Sequence, residues 1–342
     1  MSQKPFISII MPVHNAENFL DDCLQSIISQ LFIDWELIIV NDYSTDTSNS
    51  LLIEWCKKDE RIQLLQNTSK GIIPALQLAF EHSKGKYITR MDADDLMPRE
   101  KLQLFAKQAQ LNPNSVVTGK VSYFSEKSVS QGYLRYEAWL NTLIDQKETF
   151  DNRRTAHWKA VYRECVIASP NWLVKRSCFE EDFAFSDLTY PEDYDMVFKW
   201  YEKGYDIAVI NEITHLWREH PARTSRNSEN YQQKAFFNLK TERFIKLELD
   251  SSEKIQLIGA GIKGKLVAKE LDKHKIVYDW FDFSANKKNL DTNGIAIQEL
   301  ANVKAGLKTI LTVWPENEQL KEQVVNFLNE KELVFGENCW LF

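Results

Sequence analysis

Phe6-Ile7-Ser8-Ile9-Ile10-Met11-Pro12-Val13-His14-Asn15 is an almost unbroken apolar run that ends on two polar residues. A run of this length and boundary suits a strand buried on both faces. Trp35 to Val40 repeats the pattern, and Tyr87 to Met91 predicts a third strand of the same sheet. Between them, Ala16 to Gln30, Thr45 to Lys57 and Gly71 to Ser83 carry apolar residues at helical spacing, with Thr45 and Asp46 supplying N-cap chemistry for the second helix. Strand–helix alternation across short connections predicts an α/β fold, a mostly parallel sheet with helices on both faces. Ligands of such sheets bind beyond the carboxyl ends of the strands. Function is therefore sought in the residues that follow each strand.

The first strand is followed by His14 and Asn15, the second by Asn41-Asp42-Tyr43-Ser44, and the third by Asp92-Ala93-Asp94-Asp95. Carboxylates crowded this closely repel one another unless a cation or a donor network compensates. Hard oxygen ligands with open positions suit Mg²⁺ or Mn²⁺ beside a substrate diphosphate. A solvated acidic turn, with Pro98 starting the next helix, accounts for the same residues without a metal.

Three stretches together resemble glycosyltransferase family 2, which has the GT-A fold. They are Phe6 to Asn15, Glu36-Leu37-Ile38-Ile39-Val40-Asn41-Asp42-Tyr43-Ser44-Thr45-Asp46, and Gly85-Lys86-Tyr87-Ile88-Thr89-Arg90-Met91-Asp92-Ala93-Asp94-Asp95. The resemblance continues in family order through Pro191-Glu192-Asp193-Tyr194-Asp195, similar to the family's ED motif, and Trp217-Arg218-Glu219-His220-Pro221. Tyr43 departs from it, standing where the family often has glycine. The resemblance implies a nucleotide-sugar site that includes Pro12, His14, Asn15, Asp42, Arg90 and Asp92. Within it the resemblance implies that Asp42 accepts from N3–H of a uracil ring and that His14 lies against the base. Asp94 is implied as the main metal ligand, His220 as a residue that completes the metal site, and Asp95 as a substitute or supporting carboxylate. Asp193 becomes the catalytic base and Glu192 an acceptor contact. Each has a plainer alternative: Asp42 as a helix cap, Arg90 as an ion-pair partner of the nearby aspartates, Glu192 and Asp193 as charges that complement a helix N-terminus, and His220 as a solvent-facing loop residue.

With 342 residues and 44% hydrophobic side chains the chain is of ordinary globular composition, long enough for two domains. A formal charge of −7 weighs against a nucleic-acid partner. Five scattered cysteines without a CxxC pair predict free thiols rather than a zinc site. Neither a membrane span nor a signal peptide is predicted, so the expected setting is cytoplasmic, with peripheral contact at the inner face of a membrane allowed.

Arginine stops at Arg243, and residues 251–342 hold 12 Lys against 13 Asp plus Glu. This break predicts a division at Asp250-Ser251-Ser252, giving a GT-A domain over 1–250 and a smaller module over 251–342. In the module, the strand-like Lys254 to Ile258 precedes Gly259-Ala260-Gly261-Ile262-Lys263-Gly264 and a helix, and a second strand ends at Asp282. That is the dinucleotide fingerprint in its expected context, so a Rossmann-like unit is predicted, with Gly259, Gly261, Gly264 and Asp282 as a candidate nucleotide site. A packing or oligomerisation module that retains the glycine turn is the favoured reading of it, which allows a homo-oligomer. Between the halves, Arg153, Arg154, His157, Lys159 and Arg163 with Trp158 and Tyr162 form either an acceptor-binding surface or a charged face beside core aromatics.

The function expected is an inverting, Mg²⁺- or Mn²⁺-dependent glycosyltransferase that moves a sugar from a nucleotide-diphosphate donor, a UDP-sugar, to a glycan or lipid-linked glycan in bacterial surface-polysaccharide synthesis. Its rivals are a sugar-nucleotide-binding scaffold without turnover and a dinucleotide-dependent oxidoreductase acting through the tail.

Overall fold

The computed structural model describes residues 4–145, 155–181, 185, 188–250, 253–284, 291–292 and 295–342. These fall into two compact units, one drawn from 1–152 and 167–223, the other from 153–166 and 224–342.

The first unit is built on a seven-stranded sheet of β1 (Ile7–Val13), β2 (Trp35–Asn41), β3 (Ile62–Gln66), β4 (Tyr87–Arg90), β5 (Ser115–Phe124), β6 (Trp172–Lys175) and β7 (Asp206–Arg218). Their order is β3-β2-β1-β4-β6-β5-β7. The first four are mutually parallel, as the apolar runs predict for β1, β2 and β4. β6 then runs antiparallel to both β4 and β5, and β5 is parallel to β7. In β1 the residues Ile7, Ile9, Ile10 and Met11 are fully buried, so both faces of this central strand are covered. Ile7, Ile9 and Met11 join Leu20, Leu24 and Ile27 of the helix Leu20–Ile28 in one core.

The helix after β2 begins at Ser48, later than Thr45 and Asp46 suggest. Asp46 still serves this helix: Oδ1 accepts from the Ser48 N–H at 3.0 Å and Oδ2 from the Glu17 N–H at 3.1 Å. Those hydrogen bonds outweigh burial and lower its pKa.

The second unit carries β8 (Ile255–Ile258), β9 (Tyr278–Phe281), β10 (Asp291–Thr292), β11 (Ile295–Gln298), β12 (Thr309–Leu311) and β13 (Cys339–Leu341), ordered β10-β11-β9-β8-β12-β13. All neighbours are parallel except the β10–β11 pair. With the helix Ile262–Lys273 after β8, this is the Rossmann-like arrangement predicted for the tail.

The units divide between Arg223 and Thr224, ahead of the Asp250 expected from composition. Aromatic packing explains the difference. The helix Gln233–Glu248 buries Phe244, whose ring lies 5.1 Å from Trp340 and 5.8 Å from Phe342. Tyr162 stacks on Phe342 at 5.4 Å and donates to Glu248 Oε1 at 3.0 Å. Two segments upstream of residue 250 thus complete the core of the tail. Ser251 and Ser252 lie outside the described residues.

Candidate active site

Asp42 directly follows β2 and is almost fully buried. Oδ1 accepts from Asn67 Nδ2 at 2.7 Å, and the Gly71 N–H lies 3.0 Å from both carboxylate oxygens. Gly71 can offer its N–H this way because its φ of +130° is open to glycine. A carboxylate has about four acceptor positions, so capacity for another donor remains. Asp42 does not cap the following helix. His14 Nδ1 is 2.6 Å from the Asp42 carbonyl oxygen, and Asn15 Oδ1 accepts from the Thr45 N–H at 2.8 Å, joining the ends of β1 and β2. Pro12 pairs with Val40 inside the sheet. Tyr43 takes the left-handed φ of +55°, the conformation for which glycine is the easy choice, and its side chain stays exposed.

The three carboxylates after β4 take three different roles. Asp95 is buried, with Oδ2 2.9 Å from His215 Nε2 and Oδ1 accepting from the Arg218 N–H at 2.8 Å. Burial holds His215 well below its usual pKa, so the ring is neutral, and burial likewise pushes the Asp95 carboxyl well up. Asp92 accepts from Arg90 Nε at 2.7 Å. Burial pushes the Asp92 carboxyl up, against the pull of Arg90. Asp94 Oδ2 faces His220 Nε2 at 2.9 Å, on a side chain that remains 27% exposed.

Asp94 and His220 fit Mg²⁺ or Mn²⁺. An oxygen and an imidazole nitrogen converge at a partly open edge, beside further negative charge on Asp92, as a hard cation with room for water and diphosphate requires. Asp95 does not belong to that set, since both of its oxygens serve the protein.

The helix Glu192–Lys203 supplies the opposite side, with Glu192, Asp193 and Asp195 in its first turn. Pro191 occupies the cap position, one residue before the helical turn expected for it. Arg90 is nearly inaccessible and donates through Nη1 to Glu192 Oε1 at 3.0 Å. It therefore joins Asp92 of one half to Glu192 of the other, in the ion-pair role that was the plainer alternative for it. Asp193 Oδ1 accepts from the Tyr194 N–H at 2.8 Å. Burial, then the charge of Glu192, raise the Asp193 carboxyl to about 7, with Arg90 opposing. A carboxylate tuned to that range is suited to take a proton near neutrality. Asp195 pairs with Lys199 at 3.0 Å and supports the helix.

His215 and Lys101 escaped the sequence reading. Lys101 is buried, donates to the Pro170 carbonyl at 2.7 Å, and burial lowers its pKa to about 7. Nothing in a single sequence marks either as buried polar.

In the second unit the predicted glycine turn is present. A Cβ on Gly259, whose φ is +111°, would lie 2.4 Å from Thr312 Oγ1, and one on Gly264 would lie 1.9 Å from the Gly259 carbonyl oxygen. Gly261 would meet nothing within 4 Å. It borders a cavity of about 440 Å³ lined also by Lys263, Asp282 and Thr312. Asp282 Oδ2 accepts from the Ala260 N–H at 2.6 Å and Oδ1 from the Ser284 N–H at 2.8 Å. Of the basic stretch, Arg153 and Arg154 lie outside the described residues, while His157, Trp158 and Tyr162 are buried in this unit. Burial lowers the His157 pKa to about 4, which leaves its ring uncharged at neutral pH.

The mixed sheet, with acidic residues after β2 and β4 and an acidic helix start facing them through Arg90, defines the GT-A class of glycosyltransferases. The chain belongs to glycosyltransferase family 2, whose model, glycosyl transferase family 2, matches residues 8–181. It is 25% identical over 225 residues to the uncharacterized glycosyltransferase EpsJ of Bacillus subtilis, covering 64% of this chain and 62% of that protein. To UDP-Glc:alpha-D-GlcNAc-diphosphoundecaprenol beta-1,3-glucosyltransferase WfgD of Escherichia coli it is 31% identical over 208 residues, 60% of this chain and 73% of the relative. The match to the glycosyltransferase GlyA of Streptococcus pneumoniae spans only 36% of that longer protein. Among solved structures, TarS 1-349 of S. aureus in complex with UDP-GlcNAc aligns with a TM-score of 0.58 at 17% identity, over 79% of this chain and 72% of that one, a likeness of fold. Among the described residues no helix is long and apolar enough to cross a membrane.

Proposed function

We propose that this protein is an inverting glycosyltransferase that moves a sugar from a UDP-sugar to a hydroxyl of a glycan or lipid-linked glycan. The observation that carries this reading is Arg90, which holds Asp92 and Glu192 at 2.7 and 3.0 Å and so sets the donor-side carboxylates against the Asp193 helix.

Asp42, with His14 and Asn15 beside it, receives the nucleotide base. Asp94 and His220 would hold Mg²⁺ or Mn²⁺, which would supply positive charge against the departing diphosphate. Asp193 takes the proton of the acceptor hydroxyl as that oxygen attacks the anomeric carbon. The bond from carbon to the diphosphate oxygen breaks in the same displacement, and its electron pair leaves with UDP. A single in-line attack inverts the anomeric configuration and needs no protein nucleophile. Relatives that carry glycosyltransferase names, one of them acting on a diphosphoundecaprenol-linked sugar, support an acceptor in surface-polysaccharide synthesis.

The test is UDP release from a panel of UDP-sugars with Mn²⁺ and candidate acceptors, followed by NMR of the product anomer. Inverted product is expected from wild type. A retained configuration would remove the one-step mechanism, and UDP binding without turnover on any acceptor would favour the scaffold reading.

A further inference from the structure

Arg218, the last residue of β7, touches Asp94 directly and is linked to His220 through Phe19. Its Nε donates to the Asp94 carbonyl oxygen at 2.7 Å, and Nη2 donates to Asp22 Oδ2 at 3.2 Å. The guanidinium carbon lies 5.3 Å from the ring centre of Phe19 and 4.7 Å from that of Phe124. Phe19 in turn lies 4.4 Å from the His220 ring, centre to centre. The same strand end grips the acidic loop again through Leu96 and Leu216, which exchange N–H to carbonyl bonds at 3.0 and 3.1 Å.

We propose that Arg218 is a positioning residue for the Asp94–His220 pair, fixing the Asp94 main chain with its Nε and, through Phe19, the plane of the His220 ring. The inference rests on the assignment of that pair to a divalent cation. Arginine suits the task because its fork is rigid and flat: two N–H groups reach acceptors on different segments while the face packs on aromatic rings. A lysine provides one rotatable ammonium and cannot hold both contacts with the same geometry. Outer groups that orient metal ligands commonly affect metal affinity by about 10–100-fold. A purely structural arginine would instead lower the melting temperature and leave the affinity of folded protein unchanged.

The experiment titrates Mn²⁺ alone into the full chain by calorimetry, for wild type, Arg218→Met, Arg218→Lys and Phe19→Leu, and then UDP at saturating Mn²⁺. Arg218→Met is expected to weaken Mn²⁺ binding ~10–100-fold, with Arg218→Lys failing to restore it and Phe19→Leu showing a smaller loss in the same direction. UDP binding should recover in all three at excess Mn²⁺, because both ligands remain. If Arg218→Met does not fold, Arg218→Lys and Phe19→Leu carry the comparison. Folded variants that bind Mn²⁺ within twofold of wild type overturn the inference and leave the cation site standing. Wild type that binds no Mn²⁺ overturns the cation assignment and the inference with it.

Discussion

After β9, Asp282 accepts the Ala260 N–H on one carboxylate oxygen and the Ser284 N–H on the other. After β4, the carboxylate of Asp94 has His220 as its side-chain partner among the described residues and stays partly open. Both residues follow a parallel strand, the place where α/β sheets keep their ligands. They differ in what is left over. Asp282 stabilises its own turn, whereas Asp94 retains lone pairs for something outside the chain. Asp95 makes the same point within the first unit, since its neighbours His215 and Arg218 satisfy it internally. Asp94 differs from Asp282 and Asp95 in being partly exposed with one oxygen not engaged by a side-chain or backbone hydrogen bond among the described residues.

The largest effect that would sharpen this contrast is at Asp193. Asp193→Asn keeps the shape but cannot take a proton, so turnover is expected to fall ~10²–10⁴-fold while UDP affinity holds. Near-normal turnover would place the base elsewhere. Asp94→Ala comes next, weakening metal-dependent UDP binding by more than the ~10–100-fold of an outer-shell change. Asp282→Ala is the matching control in the other unit, with loss of stability expected and UDP affinity unaltered.

Within the glycine turn, Gly264→Ala is expected to destabilise the protein by ~1–3 kcal/mol or more, because its Cβ would meet the Gly259 carbonyl. Gly261→Ala, open to the cavity, should leave the denaturation midpoint nearly unchanged. Equal loss from both would show that the turn is packed differently.

The smallest effect is a pH dependence. Since the Asp193 carboxyl sits at about 7 in the fold, kcat/KM should rise with pH and level off above that value. Stability runs the other way. A raised acid binds more protons folded than unfolded, so its contribution falls as pH climbs from the ordinary carboxyl range toward about 7. Asp193→Asn should thus melt higher than wild type above pH 7 and show little advantage in acid, and the reverse trend in thermal melts would contradict the raised carboxyl.

Much of the first unit was legible because β1, β2 and β4 are buried on both faces, which gives apolar runs, and each ends on polar residues that stand out against them. β3, with its mixed Ile62-Gln63-Leu64-Leu65-Gln66, and the antiparallel β6 carry no such signal. Which of three aspartates turns inward was also unreadable, because it depends on His215, more than a hundred residues away. The domain boundary was missed for a related reason. Phe244 is an apolar residue of the helix Gln233–Glu248, and only its contacts with Trp340 and Phe342 show which core receives it.

The central claim is that the carboxylates after β2 and β4 hold a nucleotide diphosphate together with a divalent cation. UDP titrated calorimetrically into wild type, with Mn²⁺ and then with EDTA, tests it most directly. Saturable binding with Mn²⁺ that is lost in EDTA is the predicted result. The same affinity under both conditions, or no binding in either, would contradict it.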